Sequence, residues 1–206
     1  DLPIVEPGLE QHWQDHGDRL HFSSDVGVLA DCDLIYIARD VPTDARGLSD
    51  CSPVSALAGE VLANRRDGQV VVILSQVPPG FTRALGGAPD ALFYQVETLI
   101  FGAAMQRALE PERFILGCAD PAAPVPEPLE KFLMLFGCPV LPMAYESAEI
   151  TKISINCLLT ASVATSNLLA GICEGLGGDW SEVTPALRLD ARIGPRAYLS
   201  PGLGIA

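Results

Sequence analysis

The chain has 206 residues, of which 49% are hydrophobic, so it carries enough apolar material for a sizeable core and is not a disordered chain. Thirteen Lys and Arg against 26 Asp and Glu leave a net charge of -13, which repels a phosphate backbone and makes nucleic acid an unexpected partner. Six cysteines (Cys32, Cys51, Cys118, Cys138, Cys157 and Cys173) without a Cys-x-x-Cys pair fit a reducing, cytoplasmic setting, and no unbroken apolar run reaches the ~18 residues of a membrane span.

Residues 1–10 have neither the basic nor the apolar stretch of an export signal, and the missing initiator Met fits a processed or truncated chain. Pro7 followed by Gly8-Leu9-Glu10-Gln11-His12-Trp13 predicts a short helix opened by proline, and Leu20-His21-Phe22 a short strand. Leu34-Ile35-Tyr36-Ile37-Ala38 is continuous and rich in β-branched residues, the pattern of a strand buried on both faces of a parallel sheet. Residues 52–64 have helical spacing in Val54, Leu57, Ala58, Val61 and Leu62. Gly68 then precedes a second buried strand, Val70-Val71-Val72-Ile73-Leu74.

Apolar runs at 91–96, 114–117 and 140–141, with a helical stretch at 129–136, extend the alternation and predict a parallel, doubly wound sheet. The Pro- and Ala-rich 119–128 reads as a surface connection. From 145 to 176 no proline interrupts the pattern, which predicts one long helix stopped by Gly175-Leu176-Gly177-Gly178. Ser181 is expected to cap a last helix toward Leu189, and 193–206 to be loop. His12 and His16 have the i, i+4 spacing of a metal pair, but no carboxylate or cysteine cluster completes a site, so no metal is expected.

Six segments, in order, carry a resemblance. They are Pro3-Ile4-Val5-Glu6-Pro7-Gly8-Leu9, Ala30-Asp31-Cys32-Asp33-Leu34-Ile35-Tyr36-Ile37-Ala38, Ser75-Gln76-Val77-Pro78-Pro79-Gly80, Pro111-Glu112-Arg113-Phe114-Ile115-Leu116-Gly117, Glu149-x-x-Lys152-x-x-x-Asn156 and Asp190-Ala191-Arg192-Ile193-Gly194. Together they resemble the UDP-glucose/GDP-mannose dehydrogenase family, which oxidises the C6 alcohol of a nucleotide sugar to a carboxylate with NAD. The resemblance implies an α/β fold: an incomplete Rossmann-type parallel sheet over residues 1–143 that binds NAD, followed by a long dimerisation helix within 144–206. An isolated helix bearing Ile153, Leu158, Leu159, Leu168 and Leu169 needs a partner for its apolar side, so a homodimer is expected.

Lys152 and Asn156 stand four apart and project from one side of their helix. A lone Lys and Asn on a helix are usually a solvated face, yet these sit amid apolar Ile150, Ile153, Ile155 and Leu158. By resemblance they would stabilise a developing oxyanion, an effect worth about 3 to 4 kcal/mol per donor. By the same resemblance Glu97 would move protons during thioester hydrolysis, Pro42, Thr43 and Ser75 would contact NAD, and Leu99 and Arg192 would contact the nucleotide sugar, Arg192 across a dimer.

Several positions depart from the family pattern. Val41 and Gln76 each replace a Thr, and Asn-Pro-Glu-Phe-Leu-x-Glu-Gly becomes Gln95-Val96-Glu97-Thr98-Leu99-Ile100-Phe101-Gly102, with Phe101 in place of the second Glu. No strand with Gly-x-Gly-x-x-Gly occurs. Gly202-Leu203-Gly204 resembles the glycine-rich loop ahead of the family's nucleophilic Cys, which would follow residue 206 together with a second nucleotide-binding domain. A piece lacking its first strands is expected to be unstable alone. The alternatives are a non-catalytic homologue acting as a binding or assembly subunit in polysaccharide biosynthesis, and a hydroxy-acid dehydrogenase on the same scaffold.

Overall fold

A computed structural model describes residues 4–202. Pro3 of the first resembling segment, and Leu203 and Gly204 of the closing glycine-rich loop, lie outside the described residues. Two compact units divide within one helix, Asp1–Lys152 and Ile153–Ala206.

The first unit is built on a sheet of β1 (Leu34–Ile37), β2 (Val70–Ile73), β3 (Leu92–Gln95), β4 (Phe114–Cys118) and β5 (Val140–Ala144), in that spatial order. β2 is buried on both faces along its whole length, as a run of branched apolar residues in a sheet covered on both sides must be. Its register sets Val71 beside Ile35 and Val72 beside Phe93. One face of the sheet carries Val70, Val72, Phe93, Phe114 and Leu116, packed against Leu129 and Leu133 of α5 (Glu127–Met134).

The helices earlier in this unit are α1 (Leu9–His16), α2 (Ser52–Asn64), α3 (Phe81–Ala84) and α4 (Ala104–Leu109). The expected β1, α2, β2 succession is present with α2 at its expected bounds. β3 and β4, however, pair antiparallel, so the sheet is not parallel throughout. The cause is local. Glu6 accepts the Gly102 and Ala104 N–H groups and Arg107 donates to the Thr98 carbonyl, which pins α4 beside the end of β3, and β4 starts from that same end.

Leu20-His21-Phe22 is not a strand: it has no neighbouring ladder, and Phe22 instead lies 5.8 Å from the Trp13 ring. α1 begins two residues after Pro7, with Gly8 as N-cap at φ 81°.

The long helix α6 (Tyr145–Gly175) spans both units as one element. Its first turn lies close against β4 because Gly117 has no side chain. A Cβ there would come within 3.0 Å of the Ala148 Cβ and 3.3 Å of the Tyr145 Cα. α6 is the one described helix long and apolar enough to cross a membrane by length and composition. The sequence expectation overlooked it because Ser, Thr and Asn break every apolar run within it.

The second unit contains the rest of α6 and α7 (Trp180–Leu189). α6 stops at a left-handed Gly177, with the Gly178 N–H bonded back to the Cys173 carbonyl at 2.9 Å. Asp179, not Ser181, caps α7: the helix starts two residues earlier than expected, and the Asp179 carboxylate accepts the Ser181 N–H at 2.8 Å. After α7, Ser166 donates to the Tyr198 carbonyl, Trp180 to that of Leu199, and the Asn167 amide exchanges two 2.8 Å hydrogen bonds with the backbone of Gly202.

Candidate active site

β1, β2 and β3 run parallel, so their carboxyl ends open on one side of the sheet, the side on which α/β sheets bind ligands. There, within the first unit, lies a cleft of about 570 Å³, ample for a small molecule. Its polar lining includes Arg39, Asp40, Thr43, Ser75, Glu97 and Lys152.

The loops around the cleft are fixed locally. The Ser75 hydroxyl donates to the Arg39 carbonyl and so ties the exit of β2 to that of β1. Thr43 and Ser49 bridge their loop, their hydroxyl oxygens 3.1 Å apart. Asp44 accepts the Leu48 and Arg46 N–H groups and pairs with the Arg46 guanidinium. These donors, led by the Leu48 amide, hold its carboxyl below the usual carboxylate range.

Lys152 reaches into the cleft from α6, its side chain only 16% exposed. Its Nζ donates to the backbone carbonyl of Glu97 at 2.7 Å, while the Glu97 Oε2 lies 3.8 Å away. The other oxygen of Glu97 accepts the Leu99 N–H. Tyr94 also lines the cleft, and its phenol is pushed up to about 12, first by burial and then by the charges of Glu149 and Glu97.

Two buried carboxylates fasten the starts of short helices. Glu149 accepts the Gly80 and Thr82 N–H groups at the start of α3, and Glu6 does the same at the start of α4. Arg83 pairs with Glu146 on the outside of α6, and Tyr145 donates to the Leu92 carbonyl at 2.6 Å.

Of the residues singled out from sequence, Thr43, Ser75, Glu97 and Lys152 line this one cleft. Pro42 adjoins it in the chain, its carbonyl accepting the Asp50 N–H. Leu99 lines a neighbouring cavity of about 270 Å³, shared with Tyr36, Arg107, Phe114, Phe132 and Phe136. Asn156 is a half-buried residue of α6 in the second unit, where Arg192 is 89% exposed and paired with Asp190 at 2.7 Å. His12 and His16 stack edge to face, and no group of three metal-ligating side chains occurs among the described residues. Sequence reasoning quoted Glu6 and Glu149 within motifs without giving either a task. A carboxylate one helical turn from Tyr145 and Ile153 and three residues before Lys152 was the available signal.

Residues 1–131 match the profile of the UDP-glucose/GDP-mannose dehydrogenase family, NAD binding domain, and residues 146–206 match that family's central domain. The chain belongs to the UDP-glucose/GDP-mannose dehydrogenase family. It is 31% identical to UDP-glucose 6-dehydrogenase TuaD of Bacillus subtilis over 98% of this chain and 46% of that one. It is 32% identical to the UDP-glucose 6-dehydrogenase of Pseudomonas aeruginosa over 99% and 48%. A UDP-glucose dehydrogenase from the hyperthermophilic archaeon Pyrobaculum islandicum superposes with a TM-score of 0.81 at 29% identity, covering 98% of this chain and 50% of that one. A GDP-mannose dehydrogenase from Pseudomonas aeruginosa, solved as a ternary complex, superposes with a TM-score of 0.82 at 25% identity, over 98% and 50%. The chain spans about half the length of the curated relatives it matches.

The Rossmann-type α/β fold and NAD as cofactor accord with this UDP-glucose/GDP-mannose dehydrogenase membership. The cleft suits part of a dinucleotide. The Thr43, Ser49 and Ser75 oxygens can accept hydrogen bonds, and Arg39 and Lys152 bring two cations to the same cleft as the carboxylates of Asp40 and Glu97.

Proposed function

We propose that this chain carries the NAD-binding part, residues 1–143, and the dimerising part, 144–206, of an enzyme that oxidises the C6 alcohol of a UDP- or GDP-sugar to the carboxylate. The supporting observation is the single cleft lined by Lys152, Glu97, Ser75 and Thr43 at the strand ends of an NAD binding domain. NAD supplies the hydride acceptor when bound. Lys152, and Asn156 one helical turn further on, stabilise negative charge on the sugar oxygen. Glu97 moves protons for the hydrolytic step. Pro42, Thr43 and Ser75 orient the dinucleotide, and Leu99 and Arg192 contact the nucleotide sugar, Arg192 from a dimer partner.

The exposed apolar residues of α6 in the second unit, Leu158 (70% exposed), Leu168, Leu169 and Ile172, support a homodimer through this helix. The match to the family's central domain favours that over a membrane span. The free cysteines among the described residues support a cytoplasmic setting.

One observation favours a second reading. Phe101 is 78% exposed where the family pattern has Glu, which suits a homologue that binds without catalysing. NADH formation at 340 nm by the full-length protein, offered UDP- and GDP-sugars with NAD, separates the two. Two NADH per sugar supports the four-electron oxidation. No turnover from folded protein that still binds nucleotide supports the non-catalytic homologue.

A further inference from the structure

We propose that Glu149 is a positioning residue, whose buried carboxylate fastens the turn after β2 to the start of α6 and thereby sets where Lys152 stands in the cleft. This rests on the reading of the cleft as an oxidation site.

Glu149 is 0% exposed, and a carboxylate taken wholly out of water is costly unless donors replace its hydration. Its two oxygens each accept one backbone N–H, from Gly80 at 2.5 Å and from Thr82 at 2.9 Å. Gly80 sits at φ 92°, a left-handed turn that glycine adopts without strain and that leads the chain into α3. The segment so held begins at Ser75, which is itself bound to the exit of β1.

On the helix side, Glu149 lies between the braces at Tyr145 and Glu146 and the cleft residue Lys152, which follows three positions later on the same side of α6. The chain from β2 to Lys152 is therefore closed into one loop of fixed contacts, with Glu149 as its buried link. Lys152 presents Nζ to the Glu97 carbonyl from a helix turn that Glu149 locks against the sheet.

The test uses the full-length protein carrying Glu149→Gln. Gln can accept one of the two N–H groups but turns an NH2 toward the other. Lys152 and Lys131 are the two lysines of these 206 residues, so an amine-reactive reagent read by peptide mass spectrometry reports on Lys152 with exposed Lys131 as internal control. The labelling rate of Lys152 is expected to rise about ten-fold, the factor equivalent to one charge-assisted hydrogen bond, with Lys131 unchanged. In the nucleotide-sugar assay kcat is expected to fall about 100-fold while KM for NAD moves less than about three-fold, the signature of a displaced reacting group.

Glu149→Asp, which keeps the charge but draws it back by about 1.5 Å, is expected to raise Lys152 labelling as well, and it carries the test where the Gln variant does not fold. Unchanged Lys152 labelling in a folded variant overturns the proposal. If the parent protein oxidises no nucleotide sugar, the functional reading fails on its own, and Lys152 labelling still decides the role of Glu149.

Discussion

Lys152 and Glu97 meet most closely through the backbone: the ammonium donates to the Glu97 carbonyl at 2.7 Å, and the carboxylate Oε2 forms a looser ion pair at 3.8 Å. A cation held by one neutral acceptor keeps donor capacity for a second oxygen, because an ammonium has three N–H groups. Lys152→Ala in the full-length protein is therefore expected to lower NADH formation by about 100- to 1,000-fold with KM for NAD little changed. Steady-state kinetics against wild type decides it, and turnover above about a tenth of wild type removes Lys152 from the reaction.

The Arg83 and Glu146 pair gives a pH signature. The Arg83 hydrogen bond lowers the Glu146 carboxyl to about 2, so the folded state binds a proton there less readily than the unfolded chain does. The pair's contribution is complete above about 4.5, the ordinary value for a glutamate, and is lost as pH falls toward about 2. Both side chains are about half exposed, so solvent screening keeps the effect small. Denaturant midpoints of wild type and Arg83→Gln should differ slightly at pH 7 and converge between pH about 4.5 and 2. A difference that widens on acidification contradicts this assignment.

Leu133 is buried between α5 and the sheet, in contact with the cluster that includes Val72, Phe93 and Leu116. Leu133→Ala leaves a cavity there and is expected to cost about 2 to 5 kcal/mol, visible as a lower urea midpoint at unchanged slope. A cost under about 1 kcal/mol would mean that α5 closes on the gap instead of leaving it open.

Leu158 and Leu168 stand exposed on α6 in the second unit. Changing both to Glu is expected to turn a dimer into a monomer in sedimentation experiments, with helix content kept, because charges cannot be buried unpaired in an apolar interface. A wild-type protein that is monomeric, or that requires detergent to stay in solution, refutes the proposed interface.

The scaffold was legible wherever the pattern was local. Val70 to Ile73 is buried on both faces and reads so in sequence, and the glycine cluster at 175–178 marks the end of α6 correctly. The reversal between β3 and β4 was not legible, since it depends on Glu6 capping a helix almost a hundred residues away, and no window of sequence contains both ends of that contact. Leu20-His21-Phe22 misled for the same reason: alternation predicts a strand only if a neighbouring edge exists to receive it. At the site, the motif Glu-x-x-Lys drew attention to Lys152, while the burial of Glu149 became visible only once α3 lay against α6.

The missing side chain at Gly117 has a further consequence. A methyl group there would press on Ala148, on Tyr94 and on the main chain of Tyr145 at once, and the backbone contact at 3.3 Å cannot rotate out of the way. One added carbon on β4 would act as a wedge under α6, one helical turn from Lys152, and would re-aim that side chain while pressing on Tyr94 in the cleft wall. The aim of this cation is thus adjustable from a strand that contributes no side chain to the cleft lining, which gives descendants of this protein a route to new geometry through packing.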